Sequence, residues 1–340
     1  MKNEKKPLSI SDIARLAGVS VATVSHVINN TGRFSAKTAE KVNAVIQQYG
    51  YISNNAARSL KLSTSRSVGL IVPNLTNEFF STIAVSIEQF FDSIDYSLFI
   101  CNTDNDPEKE LRYFKRLEKM QVDGIIVISC MDMIDSSILT RNIPIVLLDR
   151  NPINKMDLPL VSTDAAEGIY KATVSLLNKG CRNLVFISSF LSTYVASNRY
   201  TGFLKALQEK GITDGENRII RLHRGSSLIT AETQIVDYLE QGNVVDGVIC
   251  TSDNQAIAVM AGLKRCGLRV PEDVKVFGFD NQLQSRICTP TLSTIERNPS
   301  LMGKMAAECL LHLLNGEDDQ VPHHTQIECS LVERESTAIH

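Results

Sequence analysis

The sequence predicts a chain in two parts: an all-α helix-turn-helix head and a two-lobed α/β core with doubly wound parallel sheets. Three observations lead to this fold class. Residues 9–30 carry the caps, the glycine and the apolar spacing of two short helices joined by a tight turn. From residue 67 onward, apolar runs of strand length alternate with amphipathic helical stretches. The chain has 340 residues, 43% of them hydrophobic, which is enough for two or three domains.

The first two helices are defined by their ends. Ser9 can cap the first helix, with Asp12 at the capping-box spacing, and Ser20 can cap the second. Gly18 fits the left-handed position that ends a helix before a tight turn. The apolar side chains expected to face inward are Ile10, Ile13 and Ala17 in the first helix and Val24, Val27 and Ile28 in the second.

The outward face of the second helix carries small and hydrogen-bonding side chains, namely Val21, Ala22, Ser25, His26 and Asn29. A short helix with such a face suits insertion into the major groove of DNA. An ordinary pair of core helices is the alternative. The occurrence of Gly18 together with both caps argues against it.

A third helix should run from a cap at Ser35 to about Tyr49 and end at Gly50. Its inner face would consist of Ala39, Val42, Ile46 and Tyr49. Residues 1–50 then form a helix-turn-helix domain. Residues 51–66 contain few apolar side chains, so they are predicted to be a hinge helix and linker that is marginal in isolation.

The core, residues 67–340, is predicted from its alternating pattern. The expected strands are 68–73, 97–101, 124–129, 145–148, 184–188, 245–251 and 274–279, and the expected helices are 78–93, 107–119, 165–179, 196–210, 229–241 and 253–266. We expect one lobe from 67–162 with 296–322, and a second from 163–295 with 323–340. Ligands of such sheets bind at the carboxyl ends of parallel strands, so both lobes should face one cleft.

Charge is unevenly distributed along the chain. The net charge is −3, yet residues 1–66 contain ten Lys/Arg against three Asp/Glu, a balance of +7. A basic head on an acidic body indicates a polyanionic partner for the head. The eight cysteines are scattered as in a reduced protein, and there is no signal peptide or apolar run of membrane-spanning length. A cytoplasmic protein without membrane contact is therefore expected.

Enzyme chemistry lacks a sequence signature here. The chain has no G-x-x-x-x-G-K-[ST], G-x-G-x-x-G, H-E-x-x-H or G-x-S-x-G motif. His323 and His324 lie in a polar stretch without ligand partners at metal spacing. We expect no catalytic residue, no metal site and no cofactor.

Motifs along nearly the whole chain resemble those of the LacI/GalR family of bacterial transcriptional regulators. They are D-I-A-R-L-A-G-V-S-V-A-T-V-S-H-V-I-N (12–29), A-R-S-L-K (57–61), N-E-F-F (77–80), V-D-G-I-I-V (122–127), P-I-V-L-L-D-R (144–150), G-L-R-V-P-E-D-V-K-V-F-G-F-D-N (267–281) and T-P-T-L-S-T-I (289–295). The resemblance implies a homodimer on a pseudo-palindromic operator in double-stranded DNA, with an effector-binding core similar to a periplasmic sugar-binding protein.

On the DNA side, the resemblance implies that Val21, Ala22 and His26 reach base edges. It assigns Thr23, Ser25, Asn29 and Arg33 to phosphate contacts or, alternatively, to local caps. Leu60 would be a wedge in the minor groove, flanked by Arg58 and Lys61, with ordinary helix burial as the alternative.

On the effector side, the candidates follow predicted strand ends or match family elements. Phe79 and Phe80 can stack on a sugar or a base, or belong to the core. Asp149 and Arg150 can bind a hydroxyl or a carboxylate as a pair, and Asp280 can accept hydroxyl hydrogens. Arg199 lies in an R-x-x-G-F element, and Arg297 follows T-I-E, where many relatives carry glutamine. Surface salt bridges are the alternative for the charged residues.

Together these features predict a repressor of carbohydrate-utilisation genes that a small sugar-derived inducer releases from DNA. The three arginines favour a sugar acid or phosphorylated sugar, ahead of a neutral sugar and then a purine. A repressor that requires a corepressor, and a global regulator that acts with a phosphocarrier protein, remain open.

Overall fold

The structure, a computed structural model, describes residues 8–28, 31–51, 64–134, 138, 142–152, 158–188, 193–222 and 228–338. The chain divides into two compact units, residues 1–65 and 66–340. We describe each unit separately.

The first unit contains three helices, which are α1 (Ile10–Ala17), α2 (Val21–Ile28) and α3 (Ala36–Tyr49). The predicted capping box is present at α1. The Ser9 side chain accepts from the Asp12 amide, and the Asp12 carboxylate accepts from the Ser9 amide at 3.0 Å. Gly18 has a φ of 64° and ends α1. The Ser20 hydroxyl accepts from the Thr23 amide at 3.0 Å, which caps α2.

The core of this unit is small and apolar. Ile13, Val24 and Val42, one from each helix, are completely buried. The prediction that Tyr49 faces inward is wrong, because its side chain is 49% exposed. Gly50 turns the chain at a φ of 61°, and Tyr51 lies half-buried against the core instead.

The second unit begins with a lobe built on a six-stranded parallel sheet. Its strands are β1 (Ser67–Val72), β2 (Ser97–Asn102), β3 (Gly124–Val127), β4 (Ile145–Leu148), β5 (Leu160–Thr163) and β11 (His324–Ile327), in the order β11-β5-β4-β3-β1-β2. The helices are α4 (Glu78–Asp92), α5 (Pro107–Lys119) and α11 (Pro299–Leu314). Apolar clusters that include α4 and α11 on one side and α5 on the other place helices on both faces of the sheet.

The second lobe has a four-stranded parallel sheet in the order β7-β6-β8-β9. The strands are β6 (Leu184–Ser188), β7 (Ile219–Arg221), β8 (Gly247–Cys250) and β9 (Lys275–Phe277). The helices are α6 (Ala165–Asn178), α7 (Thr193–Glu209), α8 (Leu228–Glu240), α9 (Asp253–Arg265) and the short α10 (Leu283–Ile287). Two apolar clusters flank this sheet as well.

The chain crosses between the lobes at β5–α6, after β10 (Thr294–Glu296), and between β11 and β12 (Ser330–Val332). The assignment of residues 323–340 to the second lobe is therefore wrong for β11, which pairs with β5 in the first sheet. The antiparallel pair β10–β12 lies at this crossover. Strands of three or four residues are too short to show a periodicity in sequence.

Helix α11 was absent from the sequence prediction, although Met302, Ala306 and Leu310 recur at helical spacing and are buried. Among the described residues, no helix combines the length and the hydropathy that crossing a membrane requires.

Gly202 allows α6 and α7 to pack closely. A Cβ atom at this position would lie 2.0 Å from the carbonyl oxygen of Ala166, a backbone atom that cannot rotate away. We expect Gly202→Ala to lower the free energy of unfolding by about 1–3 kcal/mol through overpacking. Urea unfolding followed by circular dichroism measures this. Gln208→Ala, on the exposed side of α7, is the control, and equal stability of the two variants would contradict the expectation.

Candidate functional site

The first unit presents the outward face of α2 to solvent. Val21 is 43% exposed, and Ala22 and His26 are exposed as well, as the helix-turn-helix pattern predicts. Ser25 is half-buried and Arg33 is exposed. The arrangement exposes two small apolar side chains and an imidazole on one face of α2.

Thr23 has a local role in the structure. Its hydroxyl lies 2.8 Å from the Ser20 hydroxyl, within the cap of α2. The Nδ1 atom of His26 lies 3.4 Å from the Thr31 hydroxyl, and a Cβ at Gly32 would come within 2.8 Å of the same nitrogen. The turn after α2 therefore packs against one edge of the imidazole. Asn29, Arg58, Leu60 and Lys61 lie outside the described residues, so their predicted roles stay predictions.

In the second unit, the charged effector candidates meet where parallel strands end. Asp149 and Arg150 follow β4, Asp280 follows β9, and Arg297 follows β10. Asp149 and Asp280 have φ angles of 65° and 98°, which are sparsely populated for residues other than glycine. Strained backbone of this kind is typical of functional sites. All four side chains are buried rather than part of surface salt bridges.

Arg297 is the centre of this cluster, with only 1% of its side chain exposed. Its Nη2 donates to the Asp149 carboxylate, its Nη1 donates to Asp280 at 3.2 Å, and its Nε donates to the Thr163 hydroxyl at 2.9 Å. The guanidinium carbon lies 4.1 Å from the centre of the Phe79 ring. Burial lowers the pKa of Arg297 to about 10.

Arg150 and Arg199 are buried cations with spare donors. Arg150 donates from Nη1 to the Ser129 carbonyl at 3.2 Å, and Arg199 donates from Nη1 to the Thr251 carbonyl at 3.0 Å. In the described part of the chain, the buried Nε of each has no hydrogen-bond partner. Burial and, second, the charge of Arg199 lower the pKa of Arg150 to about 10, so the two cations act on one another. Burial also lowers the pKa of Arg199, and the charge of Asp280 partly opposes this.

Asp149 and Arg150 contact different groups in the structure. Asp149 accepts from Arg297, and Arg150 donates to the Ser129 carbonyl, so their predicted joint contact with a ligand stays a prediction. Phe79 and Phe80 are 2% and 8% exposed and belong to the core of the first lobe. Arg297 lies over the ring of Phe79, and Arg150 lies 5.7 Å from the ring centre of Phe80.

Two aspartates at this site, Asp253 and Asp280, have raised pKa values. Asp253, completely buried at the start of α9, accepts from the Thr294 hydroxyl at 2.5 Å and from the Gln282 amide at 2.6 Å. Burial nevertheless raises the pKa of Asp253 to about 7. Burial raises the pKa of Asp280 to about 7 as well, against the opposing charge of Arg199. Gly278 is needed here, since a Cβ would lie 2.2 Å from Asp253 Oδ1.

Several residues of the cleft were missed from sequence. Ser129, Thr163 and Thr251 supply oxygens to the three arginines, and Phe279 lies 4.4 Å below Arg199. Each stands at or just after the carboxyl end of a strand, which is the signal that could have found them. Among the described residues, no group of three or more His, Cys, Asp or Glu side chains is placed to hold a metal ion.

The raised pKa of Asp253 predicts a pH-dependent stability. The folded chain binds this proton up to about pH 7 and the unfolded chain only to about pH 4, so the free energy of unfolding should fall as the pH rises through that window. The fall amounts to at most about 1.4 kcal/mol per pH unit for each such group. Asp253→Asn should flatten the slope measured by urea unfolding from pH 5 to 7. The exposed Asp319→Asn is the control, and an unchanged slope in Asp253→Asn would refute the assignment.

The known proteins that are similar to this chain are bacterial regulators of transcription. Residues 9–54 match bacterial regulatory proteins of the lacI family, and residues 174–337 match a periplasmic binding protein-like domain. The HTH-type transcriptional repressor PurR of Vibrio atlanticus is 35% identical over 92% of this chain and 93% of its own length. The HTH-type transcriptional regulator RegA of Clostridium saccharobutylicum is 34% identical, over 97% and 99%.

Among solved structures, the lac repressor dimer bound to operator and the anti-inducer ONPF superposes with a TM-score of 0.86. Its sequence identity is 26%, and the match covers 98% of this chain and 100% of that one. These relatives and structures are named as regulators and repressors of transcription rather than as enzymes. The chain belongs to the lacI family of bacterial regulatory proteins.

Proposed function

We propose that this chain represses transcription by binding an operator through its first unit, and that a small anionic effector in the cleft of the second unit controls this binding. A sugar acid or a phosphorylated sugar fits best, which makes carbohydrate-utilisation genes the expected targets. The observation that carries the effector class is the pair of buried, unpartnered Nε atoms of Arg150 and Arg199.

A bound anion would supply the acceptors that the buried guanidinium groups of the cleft lack. Buried donors without acceptors cost free energy, and two buried guanidinium groups that act on one another cost more. Arg150 belongs to the first lobe and Arg199 to the second, each with one spare N–H. A carboxylate or phosphate between them would accept from both and offset their charges. An anion bound in this way would also contact both lobes at once.

A purine is the competing effector, because several relatives carry the name PurR, a purine repressor. A purine base would need an open aromatic face on which to stack. Within the part of the chain that the structure describes, Arg297 lies over the rings of Phe79 and Phe279, with its guanidinium carbon 4.1 and 5.3 Å from their centres. The same contacts disfavour stacking of a neutral sugar.

The DNA side of the proposal rests on the exposed face of α2. Val21 and Ala22 can contact thymine methyl groups, and His26 can bond to a base edge. Thr23, Ser25, Asn29 and Arg33 are assigned to phosphates, and Leu60 with Arg58 and Lys61 to the minor groove. The balance of +7 over residues 1–66 supports phosphate contacts, so affinity should fall steeply with added salt.

A homodimer fits an inverted-repeat operator, because each copy reads one half-site. Exposed apolar residues of the second unit support self-association. Phe99 and Ile100 on the edge strand β2 are 37% and 44% exposed, and Val85 on the adjacent α4 is 54% exposed. An apolar sheet edge of this kind is normally covered. Leu283 and Ile287 on α10 are 55% and 70% exposed and extend the apolar surface to the second lobe.

Coupling between effector and DNA requires two states of the protein. A ligand shifts such an equilibrium only through its differential affinity for the two states, and the coupling is reciprocal. We expect the effector to act as an inducer. A corepressor would use the same cleft with the opposite preference, and a phosphocarrier protein would act through another surface.

Operator recognition can be tested by selecting bound sequences from a random DNA pool with the full-length chain. We expect an inverted repeat. His26→Ala should weaken binding to it about 5- to 100-fold and relax the preference at one position of each half-site. Leu60→Ala should weaken binding without changing effector affinity. Gln48→Ala, exposed on α3, is the control. Recovery of no inverted repeat at moderate ionic strength would exclude the proposed function.

Effector class can be tested by thermal shift with sugar acids, phosphorylated sugars, neutral sugars and purine bases. We expect stabilisation by anionic sugars. Arg150→Met and Arg199→Met should each weaken that anion at least about tenfold, since each removes a charge-assisted bond. Arg265→Met removes an exposed arginine of the same lobe as Arg199 and should bind normally. Stabilisation by neutral sugars or purine bases alone would overturn the anionic class.

A further inference from the structure

Arg297 contacts both lobes at the carboxyl ends of their strands, as a ligand bound between the lobes would. The side chain belongs to the crossover after β10, yet it reaches the loop after β4 in the first lobe and the loop after β9 in the second. Its contacts with Asp149, Asp280 and Thr163 use all three nitrogens of the guanidinium. None of these nitrogens is left without a partner, in contrast to Arg150 and Arg199.

The two carboxylates explain why a cation is required at this point. Asp149 and Asp280 have side chains 5% and 6% exposed, and both bind the same guanidinium. Two buried carboxylates so placed would repel one another, and neither could remain charged without compensation. The charge of Arg297 removes that repulsion, and its bonds tie together loops from different lobes.

One oxygen of each carboxylate, Oδ1, is therefore already occupied by Arg297. An acidic side chain at the end of a strand is well suited to accept hydroxyl hydrogens from a polyol. Here the Asp149 and Asp280 oxygens accept from Arg297, and the face of Phe79 is covered by the same group. Among the described residues, the buried atoms without a hydrogen-bond partner are the Nε donors of Arg150 and Arg199 and the Oε1 acceptor of Gln282.

We propose that Arg297 is a resident cation that occupies the hydroxyl-binding carboxylates Asp149 and Asp280, holds the two lobes together in the absence of effector, and selects against neutral polyols. This inference rests on the proposed function only in treating the cleft as the effector site. Its structural part, a cation required between two carboxylates, is independent of DNA and of effector.

Chemical rescue tests the proposal on the full-length chain without DNA or effector. Arg297→Ala leaves room for a free guanidinium ion between the carboxylates. We expect this variant to melt about 5 °C or more below the wild type, because it removes the cation that both buried carboxylates share. Millimolar guanidinium chloride should recover at least half of the loss. Equal concentrations of sodium chloride and of urea, which has a similar shape and no charge, should not.

A triple variant separates charge from packing. Asp149→Asn and Asp280→Asn combined with Arg297→Ala remove all three charges, so this protein should be more stable than Arg297→Ala and insensitive to guanidinium. It also keeps the test valid if Arg297→Ala fails to fold. Instability of the triple variant equal to that of Arg297→Ala would mean that Arg297 acts through its packing on Phe79, and the proposal would be overturned.

The response of the melting temperature to neutral sugars is a second test of the proposal. Arg297→Gln frees the carboxylates, so neutral pentoses or hexoses should raise the melting temperature of this variant and leave that of the wild type unchanged. An equal response in both proteins would refute selection by Arg297. Rescue by sodium chloride or urea to the same extent as by guanidinium would refute the resident cation. Neither result depends on operator binding, so failure here is distinguishable from failure of the proposed function.

Discussion

The buried guanidinium of Arg297 between Asp149 and Asp280 is the constraint on which the core of this protein depends. Charges removed from water are tolerated only when they are paired and hydrogen-bonded. The Arg297 side chain is 1% exposed and satisfies one carboxylate from each lobe together with the Thr163 hydroxyl. The relative position of the two lobes is thus linked to the pairing of these charges. A ligand in the cleft would either contact Arg297 and the two carboxylates or bind next to them.

Parallel sheets account for the position of this cluster. In each lobe the strands end at one edge, and the residues that follow them are released from the ladder of backbone hydrogen bonds. Asp149 and Asp280 adopt left-handed backbone conformations there, which turn their carboxylates toward Arg297. The energetic consequence is an asymmetric cleft. Its acidic groups bind Arg297, whereas the Nε donors of Arg150 and Arg199 are buried without a partner among the described residues.

The helix-turn-helix unit has only a small apolar core. Three helices bury a core of a few residues, including Ile13, Val24 and Val42, so its stability depends strongly on helix caps such as Ser9 and Ser20. The outward face of α2 also has local contacts, because the Thr23 hydroxyl joins the cap and His26 lies beside Thr31. Val21 and Ala22 on the same face are exposed.

The sequence by itself determined the helix-turn-helix, the alternation of strands and helices, and the family, because caps, glycine positions and apolar periodicity are local signals. It also placed Arg150 and Asp280 at strand ends and Arg297 after T-I-E, whereas Arg199 was found through the R-x-x-G-F element. Only the tertiary structure decided that Asp149 pairs with Arg297 and not with its neighbour Arg150, that Phe79 and Phe80 are core residues, and that β11 completes the first sheet. These outcomes depend on contacts between residues far apart in sequence, such as Arg297 with Thr163, 134 positions apart, and β11 with β5, paired 164 positions apart. A local sequence pattern does not indicate which of several distant residues a buried charged side chain will contact.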